Sequence, residues 1–85
     1  MAQKNEPVKK FRYGRICATI WANYSENGRV WFNVTVTRSY MDGDQWKDSS
    51  AFRLDDLPIV TKVVDKAFDW IWEQSVPAET NGKVE

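Results

Sequence analysis

The sequence predicts an α+β domain: an antiparallel sheet of three or four strands with one C-terminal helix packed on one face, in the order βββα. Three observations predict it. Residues 15–23 and 29–40 alternate apolar and polar side chains with the period of two that a half-buried strand requires. Residues 45–54 follow the turn sequence Met41-Asp42-Gly43-Asp44 and read as a third strand. Residues 57–74 then carry apolar side chains at helical spacing behind an acidic, proline-containing start.

In the first strand Ile16, Ala18, Ile20 and Ala22 point one way, and Arg15, Cys17, Thr19, Trp21 and Asn23 the other. The second places Val30, Phe32, Val34 and Val36 on one face and Trp31, Asn33, Thr35 and Thr37 on the other. Asn27-Gly28 between them is a hairpin signal. Opposed residue numbers must sum to an even value if both apolar sets are to share a side. A three-residue loop, 26–28 with Gly28 left-handed, meets that condition and sets Ala22 opposite Phe32 and Asn23 opposite Trp31. The same parity in the next hairpin sets Tyr40 opposite Trp46, Arg38 opposite Asp48 and Val34 opposite Phe52.

Asp55-Asp56-Leu57-Pro58 reads as a helix start, with Asp56 as cap and proline in the first turn, where its missing N–H costs nothing. The expected apolar stripe is Val60, Val63, Val64, Ala67, Phe68 and Ile71, and Pro77 ends the element. Residues 11–76 make the single βββα domain. Residues 1–10, polar and holding Pro7, are expected as a mobile basic arm, and 77–85 as a disordered tail. A fourth strand would have to come from 8–13 or from splitting 29–40.

Composition bounds the chemistry. With 14% aromatic residues and five tryptophans in 85 residues, the chain as a whole must fold. It has one cysteine, Cys17, and no histidine, which removes the usual zinc and haem sites and the Ser–His and Cys–His nucleophile pairs. Asp55 and Asp56 are explained as a helix start without a metal. The expectation is therefore a non-enzymatic binding module with no catalytic residues, cofactor, metal or small-molecule substrate. The N-terminal residues lack the apolar core of a signal peptide, and a lone thiol suits a reducing compartment, so a soluble cytoplasmic protein with no membrane partner is expected.

Charge is zero overall but unevenly spread: five cations against one acid in 1–15, four against four in 16–54, and three lysines against seven acids in 55–85. The sheet face away from the helix is expected to show Arg15, Thr19, Trp21, Asn23, Arg29, Trp31, Asn33, Thr35, Thr37, Lys47 and Arg53, with no acid among them. Two tryptophans beside cations, amides and hydroxyls suit single-stranded nucleic acid, because every base has a π-face to stack and every phosphate a charge to neutralise. The alternative is a protein-interaction module, adaptor or inhibitor, using the same tryptophans as anchors. Trp70 and Trp72 at the helix margins are expected to anchor a homodimer.

Strands followed by a helix, a polar aromatic sheet and an expected dimer together resemble the single-stranded-DNA-binding folds of the transcriptional-coactivator and Pur-alpha type. The resemblance spans residues 11–75 and is architectural. It implies a ββββα unit that dimerises and lays nucleic acid across its sheets. The run 46–52, Trp-Lys-Asp-Ser-Ser-Ala-Phe, followed by Asp55-Asp56-Leu57-Pro58, also resembles a small bacterial family, a likeness that implies no activity.

Overall fold

A computed structural model describes residues 4–75 of the chain. Four strands, β1 (Lys4–Tyr13), β2 (Ile16–Tyr24), β3 (Val30–Asp42) and β4 (Gln45–Ser49), form one antiparallel sheet in the order β1-β2-β3-β4. A single 3-10 turn, Leu54–Asp56, leads into the helix α1 (Leu57–Ser75), which packs on one face. The fold is thus the α+β sheet-and-helix arrangement expected, with four strands. The tail assigned to 77–85 lies outside the described residues.

The fourth strand is β1, so residues 4–10 belong to the sheet rather than to a mobile arm. Proline argued against a strand there, since it cannot donate to a ladder. β1 is an edge strand, and its ladder to β2 skips Val8 between the pairs Pro7–Trp21 and Lys9–Ile20. An edge position and a bulge are the two settings in which a strand tolerates proline.

The β2–β3 hairpin has the expected register, with Ala22 opposite Phe32, Asn23 opposite Trp31 and Gly28 at φ 85°. The β3–β4 hairpin does not. Met41 pairs with Trp46, Ser39 with Asp48 and Arg38 with Ser49, one residue away from the expected alignment. Turn chemistry overrode apolar parity: Asp42 pairs directly with Gln45, leaving a two-residue loop whose first residue, Gly43, has φ 65°. Glycine at that first position is what a type II′ hairpin turn requires. β4 also stops at Ser49, so Phe52 reaches the core from beyond the strand and not as the partner of Val34.

The expected Arg38–Asp48 ion pair is replaced. Arg38 pairs through Nε with Asp56 Oδ2 at 3.4 Å and donates to the Ala51 carbonyl at 3.2 Å. Asp56 Oδ2 also accepts from the Arg53 backbone N–H at 2.8 Å. Asp56 therefore closes the 3-10 turn in front of α1 and ties the helix entrance to β3.

The core is small. Ile16, Ala18 and Ile20 on the inner strand β2 pack with Val63 and Ala67 of α1, all buried, with Phe11, Phe32, Val36, Phe52, Ile59 and Ile71 partly buried around them; Ala22 of β2 is buried too. Alanines at 18, 22 and 67 let helix and strand approach closely. Val64 and Phe68, expected in this stripe, are exposed instead. The molecule is a plate of 48 × 40 × 15 Å with a radius of gyration of 15.5 Å, against about 12 Å for a globular chain of this length. Among the described residues no helix is long and apolar enough to cross a membrane.

Candidate functional site

Among the described residues, no secondary-structure element lies over the sheet face turned away from α1. Odd-numbered residues of β2 and β3 point there, because the even-numbered partners Ile20–Val34 and Ala18–Val36 face the helix. Seven of the expected site residues stand on this open face: Thr19, Trp21, Asn23, Trp31, Asn33, Thr35 and Thr37. Their accessibility differs. Trp31 is 40% exposed and Asn33 and Thr35 are exposed, whereas Thr19 and Asn23 are buried between the flanking strands. Neither of those two is available as a surface donor.

Trp21 is half-buried, and its Nε1 donates to Thr35 Oγ1 at 2.9 Å. That bond pins the indole edge across the β2–β3 ladder. Trp31 lies on the diagonal from Trp21, since it is opposite Asn23. The buried Asn23 Nδ2 finds no hydrogen-bond partner among the described residues. Cys17, expected on an exposed strand position, is buried with its Sγ 3.8 Å from Thr19 Oγ1.

The four expected cations are not gathered on this face. Lys47 lies on the helix side of β4, opposite Tyr40, and pairs with Asp42 at 3.0 Å. Its displacement follows directly from the one-residue register change. Arg15 sits in the β1–β2 turn and Arg53 before the 3-10 turn; with Arg38 they line a hollow on the helix side. Arg29 is exposed in the β2–β3 loop, where its backbone bonds Ser25.

Their place is taken by β1. Lys10 stands opposite Thr19 and Arg12 opposite Cys17, both exposed on the open face. Arg12 also donates to the Gly14 carbonyl at 3.4 Å. The register change that removed Lys47 brings in Trp46, 66% exposed beside Met41, and Asp48, whose carboxylate accepts from Ser39 Oγ at 3.1 Å. Among the described residues the face therefore holds one acid, contrary to expectation, and three tryptophans. Sequence reasoning placed Lys10 in a mobile basic arm expected to neutralise phosphates, and missed Arg12 and Trp46 as site residues. The alternation of Lys10 and Arg12 with Phe11 within 8–13 was the signal for the two cations.

Trp31 and Trp46 mark opposite ends of the face. Ten residues of β3 separate Trp31 from Met41, the partner of Trp46, which is roughly 33 Å of extended chain. Between them run threonines, Asn33 and Ser39, with Lys10 and Arg12 along the β1 side. Such a surface can stack planar rings at its ends and hydrogen-bond or neutralise a chain laid between them. No three His, Cys, Asp or Glu side chains converge as a metal site among the described residues.

On the helix side Trp70 is half-buried, meeting Phe32 edge-on at 5.6 Å between ring centres. Trp72 is 51% exposed and stacks on Phe68 at 5.9 Å. Only the second of the two expected dimer anchors presents its ring outward. In comparisons with known proteins, no family model, curated protein or solved structure matches the chain.

Proposed function

We propose that this chain is a non-enzymatic module that binds single-stranded nucleic acid across its open sheet face. One observation carries the reading: exposed tryptophans stand at both ends of a flat surface of hydroxyl and amide groups, with Lys10 and Arg12 along one side. Indole stacking contributes about 1–3 kcal/mol per base and needs no particular sequence. Phosphates running between Trp31 and Trp46 would pass the two cations, while Asn33 and Thr35 offer hydrogen bonds to sugar or base edges. The resemblance to ββββα single-stranded-DNA-binding folds points the same way.

A protein partner is the second reading, favoured by the exposed Met41–Trp46 pair, which would serve as an anchor for an apolar surface. Salt separates the two. Binding to an unstructured oligonucleotide, followed by tryptophan fluorescence, is expected to weaken log-linearly with salt, with a slope of about −0.7 per phosphate neutralised. Lys10→Ala and Arg12→Ala should each flatten that slope by roughly 0.7 without changing the fold. No fluorescence change at low salt would remove the nucleic-acid reading and leave the protein-partner one.

A further inference from the structure

We propose that the flank of α1 carrying Val64, Phe68 and Trp72, with the uncovered margin of β3 beside it, docks a second copy of this chain. The proposal does not rest on the nucleic-acid reading, because this surface lies on the opposite side of the sheet.

The three residues are spaced at i, i+4 and i+8, so they form one line along the helix. All are exposed: Val64 by 43%, Phe68 by 58% and Trp72 by 51%. Thr61, Val64, Asp65 and Phe68 border a hollow of about 550 Å³ on this flank, and among the described residues Asp65 is its only ionisable lining residue. The opposite flank, with Lys66, Asp69 and Glu73, borders Phe11 of β1. The apolar flank therefore turns toward β3, where Val30 and Val34 are exposed on the helix-facing side. The helix lies mainly over β1 and β2, reaches β3 at Phe32 and Val36, and leaves Val30 and Val34 open next to its own apolar line.

Two arguments select a second copy as the occupant. The first is area. Phe68 and Trp72 alone leave roughly 200 Å² of ring surface uncovered. That is about a quarter of the ~800 Å² a partner contributes to a stable interface, before Val30, Val34, Leu57 and Val64 are added. A plate with so small a core has few other means of burying its apolar surface. The second is chemistry. A flank whose described lining holds one carboxylate, Asp65, gives a charge-selected partner little to recognise, whereas an apolar patch is complementary to its own copy across a two-fold axis.

Sedimentation velocity at tens of micromolar tests this. The wild-type chain is expected at twice its 9.9 kDa mass, with a melting temperature that rises with concentration. Phe68→Ser/Trp72→Ser should sediment as a monomer with unchanged far-UV circular dichroism, since both side chains lie outside the core. Each truncation should raise the dimer dissociation constant roughly thirtyfold or more. The wild-type mass and its concentration-dependent melting hold as tests even where the double variant misfolds. A wild-type monomer at that concentration overturns the proposal, as does a double variant that remains dimeric. A monomer whose Trp72 indole is shielded from solvent exchange would also overturn it, and would assign the cover to the chain's own terminal residues.

Discussion

Replacing Ile20 by alanine is expected to cost about 3 kcal/mol of stability, within the range for deleting a buried aliphatic side chain. Ile20 is fully buried at the middle of the inner strand β2, in the same cluster as Val63 and Ala67. Both the lost transfer energy and the cavity count here, because helix and sheet are already held close by alanines and cannot collapse further. A domain of this size has a total stability of about 4–13 kcal/mol, so the loss is a large share of it. Urea unfolding at fixed protein concentration should show a lower midpoint with the slope unchanged. Leu54→Ala is the control: Leu54 is 82% exposed, and its loss should stay within about 0.5 kcal/mol. Equal effects from the two substitutions would contradict the core described above.

The second large effect is on binding. Trp31→Ala/Trp46→Ala removes the stacking surface from both ends of the open face. At about 1–3 kcal/mol per stacked base, the double variant should bind an unstructured oligonucleotide roughly thirtyfold to twenty-thousandfold more weakly. The two sites are far apart and share no partner, so the single losses should add to the double one. Folding should be little affected, since neither ring contributes to the core on the helix side. An oligonucleotide affinity unchanged in the double variant would dissociate binding from this face.

How much of this was legible in the sequence depended on which signals agreed. The β2–β3 hairpin was readable because apolar alternation on both strands and Asn27-Gly28 demanded the same register. In the next hairpin the signals conflicted. Matching Val34 to Phe52 required one register, and Gly43 at the start of a two-residue turn required another. The local turn won, since β4 could end at Ser49 and release Phe52 to reach the core by itself. That one-residue difference moved Lys47 off the candidate face and put Trp46 and Asp48 on it.

β1 was hidden for a different reason. Pro7 and a high density of charge suggest an arm, and only the bulge at Val8 and the edge position make the segment compatible with a sheet. Lys10 was therefore read as part of a mobile basic arm and not as a fixed cation of the sheet face, and the fixed cations were sought further along the chain than Arg12. The start of the helix was legible from Asp55-Asp56-Leu57-Pro58. Its stripe was not fully so, because helical spacing tells which residues share a face but not how wide a sheet lies beneath. Val64 and Phe68 fall beyond the part of the sheet that α1 covers.

The five tryptophans allow the central claim to be tested in one spectrum, because each indole N–H has a distinct place. Trp31 and Trp46 are exposed on the open face, Trp21 is held there by Thr35, and Trp70 and Trp72 lie on the helix side. Nitrogen-15 NMR of the indole region, during titration with an unstructured oligonucleotide at low salt, should show the Trp31 and Trp46 signals shifting while those of Trp70 and Trp72 stay in place. Movement of Trp72 with Trp31 and Trp46 unmoved would contradict the assignment of nucleic-acid binding to the open face.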